Sequence, residues 1–290
     1  MENFNQALRI HWFNIILLFL WVSGPVGAQT LNIGPAELLY TDAQMPFTMD
    51  GSFSTLKKSS NEIIFFNNDF DKTYKYSGPL NAPLQTQNWV KSQSSLWNMQ
   101  WYPGVAWLNN IYKRDNGDLL GFLHVETHCC GYSDNRFRIA LGYSTTNGDS
   151  WIYCGDILKS QKDDENSNMG GVPYLVVGEY FYVYYNEWTT SGGKRLSVAR
   201  AKVTDVIQAA SSWSVTSWKK YNSGMWDQDG LTGVGSDIIP DDGGGGLRDL
   251  HSDAAYCSTI NKYLITVQTH NIGELRLYMS DDGINWGNMT

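Results

Sequence analysis

Met169-Gly-Gly-Val-Pro-Tyr174-Leu-Val-Val177-Gly178-Glu179-Tyr180-Phe-Tyr-Val-Tyr-Tyr185-Asn186 is the stretch on which the fold turns. Val172–Val177 and Tyr180–Asn186 are runs of β-branched and aromatic residues, types that suit a pleated, half-buried surface. The two residues between them begin with Gly178, as a type II′ hairpin turn requires. Ser191–Lys194 reverses the chain again, Arg195–Ala201 supplies a third strand, and Ser217–Tyr221 a fourth. Four such antiparallel strands have the size of one β-propeller blade.

Outward from this unit the pattern repeats. Phe53–Leu56, Glu62–Asn67 and Thr73–Tyr76 form a first unit, and Pro79 and Pro83 mark a surface crossing before Trp89. Val105–Tyr112, Leu119–Val125, Phe137–Ser144 and Trp151–Ile157 form a second, whose first hairpin turns at Asp115-Asn-Gly117. Ala254–Ser258, Tyr263–Thr269 and Glu274–Ser280 belong to a fourth that ends at Trp286. Ser144-Thr-Thr-Asn-Gly148-Asp-Ser-Trp151 and Met279-Ser-Asp-Asp-Gly283-Ile-Asn-Trp286 carry Gly and Trp at equal spacing, each between a third and a fourth strand. That recurrence marks a repeat architecture. A short helix is expected at Thr204–Ala210, with Thr204 as its N-cap and Asp205 in the first turn. Gly224–Leu250 reads as a long irregular loop. The expected fold is all-β, a β-propeller of four-stranded antiparallel blades. Four units are legible and the chain stops soon after Trp286, so a further blade beyond this chain is expected, with a four-bladed ring as the alternative.

The 290 residues are 42% hydrophobic, enough for one large β domain, expected here over residues 29–290. The 12 Trp and 17 Tyr suit sugar-stacking surfaces as well as β cores. A net charge of −8 without a Lys/Arg cluster argues against a nucleic-acid partner and favours neutral or cationic ligands. Residues 1–28 have the pattern of a signal peptide: Arg9, the apolar run Phe13–Val22, and Val26-Gly-Ala28 before a cleavage point at Gln29. The run is short for a membrane span, so a secreted protein, extracellular or periplasmic, is expected. Cys129, Cys130, Cys154 and Cys257 match no zinc spacing. Cys129 and Cys130 can close as a vicinal ring, or one of them can reach Cys154.

Gly171-Val-Pro-Tyr-Leu-Val-Val-Gly-Glu-Tyr-Phe-Tyr-Val-Tyr-Tyr185, Leu196-Ser-Val-Ala-Arg200 and Ser280-Asp-Asp-Gly-Ile-Asn-Trp286 resemble the blade motifs of the five-bladed β-propeller glycoside hydrolases. These are the arabinanases, β-xylosidases and fructosidases of family 43 and its relatives, and the resemblance covers roughly residues 48–286. It implies a glycosidase without a cofactor, acting on a poly- or oligosaccharide through carboxylates that converge on a central funnel. One acid protonates the leaving oxygen while a carboxylate attacks or activates water. The matching positions are Asp50 before the first strand, Asp253 at the start of the fourth unit, and Glu126 as proton donor, with Glu187 as the alternative donor. The second and third units open with Trp101-Tyr-Pro-Gly-Val and Gly170-Gly-Val-Pro-Tyr, where those families carry acids, so the constellation does not transfer whole. His128 and His251 stand beside two of these acids and can hold sugar hydroxyls, while Trp101, Tyr102 and Tyr174 are platform candidates.

Each acid also has a structural reading. Asp50-Gly51 can be a turn, Asp253 can cap a bend, and Glu126 can pair with Arg136 or Arg138. No metal is expected, since the Asp241-Asp242 loop matches no calcium spacing. Two rivals differ in class. A sialidase needs an Arg-Ile-Pro signature near its start, whereas the first arginine after the leader is Arg114. A non-catalytic glycan-binding propeller would keep the funnel and aromatics without a working acid pair.

Overall fold

The computed structural model describes residues 54–69, 72–80, 90–97, 104–128, 135–161, 169–189, 193–239, 248–249, 253–269 and 274–288. They form four blades of a propeller. The first holds β1 (Ser54–Lys57), β2 (Glu62–Asp69), β3 (Lys72–Pro79) and β4 (Val90–Trp97). The second holds β5 (Gly104–Lys113), β6 (Leu119–His128), β7 (Asn135–Ser144) and β8 (Ser150–Leu158). The third holds β9 (Met169–Gly170), β10 (Tyr174–Val177), β11 (Tyr180–Thr189), β12 (Gly193–Lys202), β13 (Lys219–Asn222) and β14 (Met225–Asp229). The fourth holds β15 (Arg248–Asp249), β16 (Ala254–Cys257), β17 (Lys262–Thr269), β18 (Glu274–Ser280) and β19 (Trp286–Asn288).

Within each blade neighbouring strands pair antiparallel. The opening hairpin is the expected one: Val177 faces Tyr180, and Gly178 turns at φ 59. The first strands lie innermost, with β1 against β5 and β10 against β16. One pairing breaks the pattern: β4 runs parallel to β8 and joins the first two blades into one eight-stranded sheet.

Four strands carry no clear signal in the sequence: β4, β14 and the two-residue β9 and β15. β4 is polar, VKSQSSLW, and carries no apolar run. β14 begins inside the stretch read as irregular loop, after Ser223 and Gly224, whose φ values of 50 and 90 make a type I′ hairpin turn. The helix, α1 (Val203–Ser211), follows β12 directly. Thr204 is therefore not its cap. Lys202, still extended, occupies that position without a side-chain bond, and the Thr204 hydroxyl turns to Asp205 Oδ1 at 3.1 Å.

The core lies between the blades. Phe181, Val183 and Tyr185 of β11 face blade two with Phe122 and Leu141, while Tyr182 and Tyr184 face blade four with Ile265 and Tyr278. A strand buried on both faces reads as an unbroken aromatic run, which is why this stretch is so apolar. Ile64, Phe66, Leu123 and Trp151 fill the seam between blades one and two. Burying each such side chain contributes about 1.5–3 kcal/mol.

Candidate functional site

Where the innermost strands meet, a cavity of about 420 Å³ opens on the axis. Every blade contributes: Thr55 from β1, Asn110 and Tyr112 from β5, Tyr174 from β10, and Asp253 and Tyr256 from the fourth. The pocket walls are cross-braced between blades. Asn110 Nδ2 donates to Val172 O at 2.8 Å, and the Tyr174 hydroxyl donates to Ile111 O at 2.9 Å. Tyr174 also stacks on Phe122 at 4.6 Å. It is therefore both a core wedge and a pocket wall. Burial, with smaller effects from the Asp253 and Tyr112 charges, drives its hydroxyl pKa far up.

Among the described residues, Asp253 is the only carboxyl that lines this cavity. Its backbone is pinned to β17: Thr266 N donates to Asp253 O at 3.1 Å, and Thr266 Oγ1 accepts from Asp253 N at 3.3 Å. Its carboxyl accepts from Ala254 N, the first residue of β16, at 2.8 Å. It is exposed to the pocket, yet desolvation raises its pKa from the ordinary carboxylate value, and the Ala254 amide only partly opposes that. A carboxyl in such surroundings keeps its proton to higher pH and can donate it.

Glu126 lies elsewhere. It pairs with Val105, five positions before Asn110 along β5, a rise of roughly 15 Å. Its Oε1 is 3.2 Å from His124 Nε2. His124 is 4% exposed, held between Trp107 and Phe137 at centroid distances of 5.6 Å, and among the described residues its buried Nδ1 has no hydrogen-bond partner. The sequence reading passed over His124. Its signal was the i, i+2 spacing, which puts both side chains on one face of a strand. Of the arginines weighed as partners for Glu126, Arg138 binds Asp156 at 3.1 Å.

Glu187 is buried in the seam between blades two and three. Lys220 Nζ stands 3.4 Å from its Oε1 and also donates to Lys159 O at 2.6 Å and Gly233 O at 2.7 Å. Glu187 is 1% exposed and does not line the axial cavity. Asp50, Trp101, Tyr102 and His251 lie outside the described residues, as do Cys129 and Cys130, and for His128 only the backbone, paired with Asn135, is described. Cys154 and Cys257 are free thiols, so Cys154 closes no bridge. Its Sγ sits instead against the carbonyls of Ile152 and Ala210, and burial pushes its pKa up to about 12. Among the described residues no group of three or more His, Cys, Asp or Glu is placed to hold a metal ion.

No protein-family model matches the sequence, and no curated protein does. Solved structures do match in fold. A Bombyx mori GH32 β-fructofuranosidase in complex with sucrose aligns at TM-score 0.50 and 9% identity, covering 82% of this chain and 48% of its own. A Penicillium chrysogenum α-L-arabinanase complexed with arabinobiose aligns at TM-score 0.49 and 10% identity, over 82% of this chain and 65% of that one. A protein of unknown function from Dyadobacter fermentans aligns at TM-score 0.47 and 14% identity, over 80% and 60%. The chain thus spans between about half and two thirds of the length of these proteins. At such identities the likeness is one of architecture, a β-propeller.

Proposed function

We propose that this chain is a glycoside hydrolase that holds a carbohydrate on the propeller axis. The observation that carries the reading is the cavity walled by all four blades, with Asp253 as its carboxyl and the rings of Tyr112, Tyr174 and Tyr256 around it. Neutral sugar hydroxyls suit such a lining, and the rings offer faces on which a sugar can stack. In this reading the donor role passes from Glu126 to Asp253. The Asp253 carboxyl, whose pKa desolvation raises, is assigned the gift of a proton to the glycosidic oxygen. The carboxylate that attacks or activates water is assigned to Asp50. The leader at residues 1–28 delivers the protein outside the cytoplasm, and the secreted product should begin at Gln29 by intact mass.

The test is reducing-sugar release from a broad panel of plant, algal and animal glycans, neutral and acidic. Asp253→Asn should lower the rate by at least about 100-fold while sugar binding persists. Wild-type activity should fall as pH rises through the raised Asp253 pKa, because only the protonated form donates. An Asp253→Asn protein of undiminished activity ends the assignment.

The second reading, a glycan-binding propeller without hydrolysis, draws on a specific geometric fact. Glu126 pairs with Val105, roughly 15 Å along β5 from the cavity residue Asn110, and it does not join Asp253 in the cavity lining. Sugar binding without release of any product from the panel would favour it.

A further inference from the structure

On the face of blade three that looks toward blade four, Arg200 is clamped between two rings. Its guanidinium carbon lies 4.3 Å from the Tyr180 centroid and 4.3 Å from the Trp226 centroid. Cross-strand geometry explains the clamp: Arg200 of β12 faces Tyr182 of β11, one diagonal step from Tyr180. Trp226 folds over from β14 and is itself braced by Tyr182 at 5.0 Å and Tyr221 at 5.1 Å. Among the described residues the Arg200 side chain forms no hydrogen bond and no ion pair. Glu179, an acid close by, is engaged by Lys202 at 3.5 Å. Lys202 in turn lies 5.9 Å from the Tyr180 ring, so a second cation shares the same aromatic floor.

A guanidinium held 4.3 Å from each of two ring centroids has little freedom to swing, and it keeps its N–H donors for a ligand. That is the geometry which accepts a planar or tetrahedral anion by paired hydrogen bonds. Aromatic neighbours suit the apolar face of a sugar ring. The patch also continues toward the axis. Tyr180 follows the two-residue turn after Val177, whose neighbour Val176 lines the axial cavity. On the other side Tyr256, a cavity residue, packs on Tyr263 at 5.2 Å, and Tyr182 is near enough to raise the Tyr263 pKa, although burial is the larger cause.

We propose that Arg200, with Tyr180, Trp226 and Lys202, binds the anionic group of an acidic sugar, either a uronate carboxylate or a sulfate ester, on a glycan whose remainder reaches the axial cavity. The inference rests on the carbohydrate reading above and narrows it to acidic glycans. It also departs from what the net charge of −8 suggests, because the site sets Arg200 on an aromatic floor, beside a Lys202 that pairs with Glu179.

The test uses the whole protein with three probes, followed by NMR of the Trp indole N–H signals: glucuronic acid, glucose 6-sulfate and glucose. Either anionic probe, or both, should shift the Trp226 signal saturably, and glucose should not. Which of the two binds identifies the source of the anion. Arg200→Gln should weaken that binding about tenfold or more, the worth of a charge-assisted hydrogen bond. Arg200→Lys keeps the charge but loses the fork, and should fall between. Unchanged affinity in Arg200→Gln, or equal shifts with glucose, overturns the inference. Because the readout is binding of a single sugar, it is independent of hydrolysis. The inference survives if no glycan is cleaved, and it fails separately if the enzyme works but Arg200 is indifferent.

Discussion

At the seam between blades one and two, Trp151 meets Phe66 edge-on at 6.0 Å. At the seam between blades three and four, Trp286 meets Tyr184 at 5.6 Å and nearly the same angle. Each Trp follows a turn organised by a serine hydroxyl: Ser144 Oγ accepts from Gly148 N at 3.0 Å, and Ser280 Oγ accepts from Gly283 N at 2.9 Å. Gly148 and Gly283 turn at φ 82 and 73, and both press against the aromatic of the preceding blade. The seam between blades two and three works differently. It holds α1 through Val206 and Ala210, and it buries Lys220 and Glu187. The first device is local, eight residues of one turn, and so it can recur with each blade. The second gathers Lys159, Glu187, Lys220 and Gly233 from separate segments, and nothing in the repeat demands it.

The largest break should come at the ionic seam. Desolvation lowers the Lys220 pKa, and Glu187 opposes that, so the cation is held by its partners against its surroundings. Lys220→Ala leaves Glu187 buried and unpaired, at a cost of about 3–5 kcal/mol in urea unfolding. Lys220→Met with Glu187→Leu should cost less than the single change, because no charge is left buried, although the carbonyls of Lys159 and Gly233 still lose their donor. A single-mutant cost below about 1 kcal/mol would mean that water reaches the pair and that the seam is held by its apolar residues alone.

The turn glycines come next. Gly148→Ala places a methyl in a left-handed backbone and against the Phe66 ring, and Gly283→Ala puts one 2.8 Å from Tyr184 Oη. Each should cost about 1–3 kcal/mol. Gly117 provides the control, with φ 92 and nothing within 4 Å of an added methyl. Gly117→Ala should show the backbone strain alone, about 1 kcal/mol. If all three cost the same, the turns are not keyed into the seams.

The same division explains what could be read in the sequence. The hairpin at Gly178, the two Gly/Trp turns and the aromatic alternation of β11 are set by residues within a few positions of one another, and their pattern showed through. β4 did not, because a polar outer strand has no apolar period to detect, and its partner β8 lies more than fifty residues on. Of the candidate acids, Asp253 opens into the axial cavity, whereas Glu187 is consumed by the ionic seam. No local signal separates those two fates. Lys220, thirty-three residues from Glu187, decides one of them. The Arg200 clamp was hidden for the same reason, since Trp226 sits on a strand read as loop.

The smallest test separates the two similar seams. Tyr184 carries a hydroxyl that Phe66 lacks, and it donates to Gly283 O at 2.8 Å. Burial pushes the Tyr184 pKa well up, so the donor keeps its proton across the neutral range. Tyr184→Phe turns the second seam into a copy of the first and should cost about 1 kcal/mol, by the same amount at every pH in that range. A loss much larger than this would mean that the hydroxyl, rather than the edge-on contact with Trp286, holds blade four to blade three. The likeness between the two seams would then be one of sequence pattern only.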